Sequence, residues 1–266
     1  MSHRIDALAH GNRLKILPPG HKLAFATALL LLALVAPLTV QLIISFWLAL
    51  WIVGYAGIPP GIYLSMLLLP LGLTISSLPA IIINVVGHES LPGVQADIWG
   101  SSSRTMAGWS LYLSKQGLSQ ATELLTRTLA ATSTMFFLLL TTPLNELVQV
   151  LRKLGMPPLL LELMVHIYGF IFTLWKIVDD ITVAQRARSG YGTWQQSIAS
   201  LGLLIGQLLE RSISSYRGLS MGMAARGFQG ELRVLASSHH RPSRRHQVEA
   251  ISGCALLGAL SIMGLR

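Results

Sequence analysis

Two arginines sit among residues too small to hide them. Arg188 lies in "TVAQRARSG", Thr182 to Gly190, and Arg226 lies 38 residues later in "SMGMAARGFQG", Ser220 to Gly230. A guanidinium presents a planar fork of donors that pairs with a carboxylate through two parallel hydrogen bonds. Ala184 and Gly222 stand four residues before the two arginines, and Gly230 four after the second, positions that would share one helix face. Small neighbours let another backbone approach, and Met221 and Met223 add adaptable apolar contact. The chemistry on offer is a charged fork docking into an acidic groove of another protein. On the residues alone a plainer account stands beside it: both strings are basic turns of a cytoplasmic loop. Arg217 with Gly218 shows how readily Arg-Gly pairs arise in this composition.

Other residues could do other chemistry. Asp179 and Asp180 are adjacent carboxylates, and a membrane transferase acting on magnesium-bound diphosphates needs clustered carboxylates to hold the ion. Here there is one pair and no second cluster, so a solvated helix end near arginines is the simpler account. His88 and Glu89 lack the second histidine four residues on that a zinc helix requires. His239, His240 and His246 fall in "HHRPSRRH", where arginines repel a cation and a flexible basic loop is expected. His166, inside an apolar stretch, reads as a hydrogen-bonded core histidine. Cys254 is the sole cysteine, which rules out an intrachain disulfide and a cysteine metal site and leaves a small packing residue. There is no phosphate loop and no nucleophile elbow. No catalytic residue, metal site or cofactor is expected. The basic charge points to anionic lipid or a protein partner, not to nucleic acid.

The elements that must position these residues are membrane helices. The 266 residues are 52% hydrophobic and only 12% charged, with mean hydropathy +0.58. Soluble domains carry about 25% charged residues. The apolar runs are continuous instead of alternating, so the class is an all-α integral membrane protein. No Asp, Glu, Lys or Arg occurs from Leu23 to Gly87, room for two or three spans. Breaks are expected at Pro37, at "GIPPG" (Gly57 to Gly61), at Pro70 and at Pro79, and Pro37 either kinks one helix or separates two. The 22 residues before the first apolar run read as a retained cytoplasmic segment with no cleaved signal.

Further on, "MAGWSLYLSKQGLSQATELLTRTLAAT" has helical spacing throughout and predicts one partly polar helix. "LNELVQVLRKLGMPP" predicts a short amphipathic helix ending near Gly155, and Pro157 and Pro158 start a span over Leu159 to Trp175. Residues 176–245 hold ten Lys or Arg against four Asp or Glu, and the first 22 residues hold four against one. Cytoplasmic loops carry such an excess, so both segments are expected inside with an even number of spans between them. "WQQSIASLGLLIGQLLERSISSY" predicts a long amphipathic helix, bracketed by short helices that carry the two arginines. The resulting division is 1–22 cytoplasmic, 23–175 transmembrane, 176–246 interfacial coupling helices and 247–266 a last span, with four to six spans in all.

The opening "IDALAHGNRLKILPPGHKL", the "TTP" before "LRKLGMP", then "AQRARSG" and "AARGF" resemble the transmembrane T component of energy-coupling factor transporters, most closely the cobalt branch, the CbiQ type. The resemblance covers roughly residues 5 to 265. It implies a non-enzymatic scaffold of the bacterial inner membrane that joins a metal-binding membrane S component to cytoplasmic ABC-type ATPases, with room for a small accessory membrane subunit. It implies import of cobalt or nickel, with ATP hydrolysed by the partners. Two short coupling helices, each with an Ala-Arg-Gly motif, would dock into the ATPases. The matching positions are Ala187, Arg188 and Ser189, then Ala225, Arg226 and Gly227, and Ser189 departs from the family glycine. Two other classes stay open: a membrane enzyme using Asp179 and Asp180, and a lipid-bound structural protein.

Overall fold

The structure, a computed structural model, describes residues 8–9, 11–87, 104–106, 109–227 and 244–264. The chain divides into two compact units, Met1–Leu147 with Ser238–Arg266, and Val148–Ser237.

The first unit is built on paired prolines and apolar runs. Pro19 sits at the first position of α1 (Pro19–Val35), where its missing N–H costs no hydrogen bond. Pro37 does not kink a longer helix. It is the N-cap of a separate helix, α2 (Leu38–Leu50), which continues through a π turn, Trp51–Tyr55. The exposed backbone at this break is sealed by Gln41, which is fully buried. Its amide donates to the carbonyls of Ala36 (2.9 Å) and Ala33 (3.2 Å), and its oxygen accepts from Thr126 Oγ1 at 2.6 Å. In apolar surroundings such groups need an internal partner.

Gly57, at φ +73°, turns the chain into α3 (Pro60–Ile82), again started by a proline. Pro70 and Pro79 were expected as breaks, yet α3 runs through both. An apolar setting offers the backbone no solvent to turn to, so helix persists around both prolines, and the hydroxyls nearby bond within the helix: Thr74 Oγ1 to Pro70 O and Ser77 Oγ to Thr74 O.

The expected single helix over Met106–Thr132 also gives way. Trp109–Leu113 is a strand, β3, the centre of an antiparallel sheet ordered β1-β3-β2 with β1 (Ile83–Gly87) and β2 (Arg104–Met106). The register pairs Asn84 with Tyr112 and Thr105 with Ser110. "WSLYL" fits both periods, and its aromatic content and pairing with β1 favour strand. Ser114 then caps α4 (Lys115–Thr141), accepting from Gly117 N at 2.7 Å.

Helix α4 is the spine, packed by α1, α2 and α3. Phe25 and Leu29 of α1, Ile44 and Leu48 of α2 and Phe137 and Leu140 of α4 form the buried core. A Cβ on Gly117 would stand 2.5 Å from Ile81 O, so only glycine lets α3 and α4 approach this closely. The C-terminal carbonyls of α4 are taken by groups from the N-terminal segment. Asn12 Nδ2 donates to Leu140 O (3.1 Å), and Lys22 Nζ donates to Thr141 O (2.9 Å) with Glu146 Oε2 at 3.9 Å. A last helix, α8 (Arg244–Gly264), begins at this same end and packs against α1 and α2.

Helix α5 (Leu144–Lys153) carries Glu146 in its first turn and Arg152 and Lys153 in its last, signs that suit the helix dipole. It ends at Gly155, φ +86°, as its pattern predicts. The second unit contains α6 (Pro158–Ala187) and α7 (Trp194–Ala225), joined by a tight turn and burying Ile181 and Leu204.

Among the described residues, five helical stretches are long and apolar enough to cross a membrane: Leu38–Tyr55, Pro60–Ile82, Lys115–Thr141, Pro158–Ala187 and Arg245–Met263. Helix α1 is a shorter apolar helix. Large apolar side chains such as Phe46, Leu64 and Leu69 are mostly exposed, an arrangement that suits lipid and not water. The fold is that of an all-α integral membrane protein with one small sheet.

Candidate partner-docking site: two arginine caps

Both arginines terminate long helices. Arg188 is the C-cap of α6 at φ −100°, ψ 19°, and Arg226 is the C-cap of α7 at φ −94°, ψ 11°. The short helices expected to carry the motifs are therefore replaced by helices of 30 and 32 residues. The reason lies in the flanks. Helix α6 passes through "KIVDDITVAQRA" with no glycine or proline to stop it, and α7 runs on through Gly218 and Gly222 to Ala225.

The residue after each arginine is left-handed: Ser189 at φ +55° and Gly227 at φ +70°. Ser189 N–H donates to Arg186 O (3.1 Å) and Gly190 N–H to Gln185 O (2.9 Å), the paired bonds of a Schellman cap. Gly227 N–H donates to Ala224 O at 3.1 Å, the equivalent inner bond. This gives the motif a physical reading that size alone did not: its third residue must adopt positive φ, which glycine does without strain.

Ala187, Arg188, Ser189, Ala225, Arg226 and Gly227 are all exposed. Among the described residues neither arginine pairs with a carboxylate. Each guanidinium stands at a helix C-terminus, the end whose carbonyls favour a cation. Helix α7 stops at Ala225, and Gly230 lies outside the described residues. Gly222 lies on the helix, and a Cβ there would meet nothing within 4 Å, so its smallness leaves open room.

The first cap is held by a bracket that the motif search did not include. Gln185 Nε2 donates to Ser200 O (2.8 Å), and Tyr191 OH donates to Gln185 Oε1 (2.7 Å). Ser200 Oγ donates to Gly190 O at 2.7 Å. A Cβ on Gly190 would lie 2.7 Å from Ser200 Oγ, so the corner closes only on glycine. Thr193 starts α7 and accepts from Gln196 N, and the T-x-x-Q spacing was a readable capping signal.

The remaining candidates are not gathered together. Asp179 and Asp180 are exposed on α6, and among the described residues no three His, Cys, Asp or Glu side chains cluster as metal ligands. His166 is half-buried, not core, with Nδ1 2.8 Å from Glu162 O. His246 belongs to α8, not to a loop, and packs edge-on to Trp51 (6.1 Å) and Tyr55 (5.6 Å). Cys254 is half-buried against the core. His88, Glu89, His239 and His240 lie outside the described residues.

Residues 10–235 match the CbiQ family, described as cobalt transport protein. An uncharacterized protein of Methanocaldococcus jannaschii is 31% identical over 88% of this chain and 84% of its own length. A putative fused cobalt transport protein CbiMQ of Methanocorpusculum labreanum is 28% identical over 86% of this chain and 37% of its own. The cobalt transport protein CbiQ of Rhodobacter capsulatus is 37% identical over 47% of this chain and 51% of its own. With apolar helices that fit a multi-pass membrane protein, and a match running through both arginine caps, the chain belongs to the CbiQ family of cobalt transport proteins, as a membrane component of a transporter.

Proposed function

We propose that the chain is the coupling subunit of an energy-coupling-factor importer for cobalt or nickel ions, docking cytoplasmic ABC-type ATPases at Arg188 and Arg226. The observation that carries this reading is the likeness of the two caps: each arginine ends a long helix, is exposed, and is followed by a left-handed residue. Two matching forks suit two matching acidic grooves, as a pair of ATPase subunits would offer. The caps are joined by α7, 32 residues or about 48 Å of continuous helix. A change in the spacing of the ATPases on ATP binding moves the two guanidinium groups with them, and α7 carries the displacement to a metal-binding membrane subunit, which reorients and releases its ion inward. The fusion named in the Methanocorpusculum relative supports a membrane protein as that neighbour. A small accessory membrane subunit completes the complex, and the chain itself holds neither metal nor nucleotide.

Orientation follows from charge. The basic residues before Leu23 and those of 176–245 face the cytoplasm; three of the five candidate spans lie wholly between them and a fourth, Pro158–Ala187, begins there and ends in the second segment. The proposed division is 1–22 cytoplasmic, 23–175 membrane, 176–246 coupling and 247–266 membrane.

The test is the double substitution Arg188→Ala with Arg226→Ala. The variant is expected to stay in the membrane, to lose co-purification with the ATPase in mild detergent and to lose ATP-dependent uptake of radioactive cobalt. A double variant that keeps both would end the proposal.

A further inference from the structure

The first unit contains a cleft of about 360 Å³ between α1, α8 and the π turn, distinct from the arginine caps. Its lining changes character along the helices. In their first turns α1 contributes His21 and α8 contributes His246 and Gln247, with His21 Nε2 and Gln247 Nε2 3.4 Å apart. Two turns further on, the same helices contribute Ala28 and Cys254, and Phe25 and Phe137 form the floor. The cleft is thus polar at one end and apolar at the other, with a volume in the range of about 300–1,000 Å³ usual for ligand sites.

Charge identifies the head of a fitting ligand. Leu14 lines the cleft, and its sequence neighbours Arg13 and Lys15 are exposed outside the lining, Arg13 lying beside Gly57 just past the π turn; Arg245 precedes the lining residue His246 with its side chain 79% exposed and paired to Glu249. Lys22 also lines it, but its ammonium is turned inward to Thr141 O and Glu146. The helix face identifies the tail. Ala24 and Ala28 line the cleft, and Leu31 and Val35, 61% and 68% exposed, continue the same stripe of α1 at helical spacing. The cleft therefore runs into the apolar surface that faces lipid. Trp51 lines the cleft and meets Trp47 edge-on and Tyr55 at a tilt, residue types that mark the headgroup level.

We propose that this cleft binds an anionic phospholipid, its acyl chain against Phe25, Ala28 and Cys254 and its phosphate beside Arg13 and Lys15. Assigning it to the inner leaflet rests on the orientation proposed above; the cleft and its chemistry do not.

The test uses the full chain, with its partner subunits, in nanodiscs holding equal amounts of phosphatidylglycerol and phosphatidylcholine with identical chains, read by native mass spectrometry. The wild type is expected to retain phosphatidylglycerol preferentially. Ala28→Trp, at an exposed position, should lower retention of that lipid at least tenfold. Arg13→Gln and Lys15→Gln should each lower it about fivefold and leave phosphatidylcholine unchanged, the effect of one cation near a headgroup. Equal retention of both lipids by the wild type, no response to Ala28→Trp, or a photo-crosslinker at position 28 that captures protein instead of lipid would each overturn the proposal. ATPase co-purification is measured on the same samples. A wild type that holds the ATPase but shows no lipid preference overturns the lipid site alone, and a wild type that prefers phosphatidylglycerol but does not hold the ATPase overturns the coupling role alone.

Discussion

The two arginine caps share a backbone and differ in what holds it. At the second, Gly227 takes the left-handed position without penalty, and the described residues supply no side-chain bracket. At the first, Ser189 takes the same position against its own Cβ, and Gln185, Tyr191, Ser200 and Gly190 close around the turn. A left-handed residue with a side chain costs about 1–2 kcal/mol. Several well-formed hydrogen bonds, each worth about 1 kcal/mol net, offset that. The comparison teaches that one cap geometry can be reached by an unstrained residue or by a strained one that its surroundings hold in place.

The largest way to break the comparison is to open the bracket at its tightest point. In Gly190→Val the new Cβ meets Ser200 Oγ at 2.7 Å and the backbone oxygen of Gln185 at 3.0 Å. The expected cost is about 2–3 kcal/mol, as for an overpacked core position. Hydrogen exchange should show the Ser189 and Gly190 amides losing protection while those at Arg226 and Gly227 keep theirs. Equal loss at both caps would mean that they are not independent.

Gln185→Ala is the next in size. It removes the bonds to Ser200 O and from Tyr191 OH but leaves the Schellman backbone bonds in place. The cost should be about 1–2 kcal/mol, read by the same amide exchange. No change would show that Ser189 is held by the backbone bonds alone and that the bracket does not support the first cap.

What could be read in advance, and what could not, divides along physical lines. The helix start at Pro157-Pro158 was legible because a proline pair acts locally, whatever surrounds it, and the pairs Pro18-Pro19 and Pro59-Pro60, not read as starts, carry the same signal. Pro70 and Pro79 were misread because their effect depends on solvent, and α3 has little access to any. "WSLYL" was misread because its longer pairing, with β1, lies 22 residues or more away in the chain, and its local partner β2 is only three residues long, too short to show a strand period. Arg188 and Arg226 were found by composition. That they are caps was hidden, because "ARSG" and "ARGF" look like mid-helix small-residue faces until the left-handed residue is seen. The bracket could not be read at all: Gln185 and Ser200 are ordinary helix residues that meet only once the turn has formed.

At the second cap, Gly227→Ala should cost about 1 kcal/mol, since it imposes the strain that Ser189 bears without giving the turn a matching bracket. Local exchange at Arg226 and Gly227 should speed up by about fivefold. If the ATPase grips this cap, its affinity should fall by a similar factor, because the bound conformation becomes less populated. An unchanged exchange rate would show that contacts beyond Gly227 brace the second cap as well.

The smallest effect has the opposite sign. Ser189→Gly relieves the left-handed strain at φ +55° and leaves every backbone bond of the cap in place. It also gives the unfolded chain more freedom, which cancels part of the gain, so the net stabilisation should be about 0.5 kcal/mol. Combined with Gln185→Ala, the same substitution should recover more than it does alone, because a glycine needs less of the bracket. A double-mutant cycle on amide exchange at Gly190 measures that coupling directly. Strict additivity would mean that strain and bracket are unrelated, and that the first cap carries a serine for reasons outside the balance argued here.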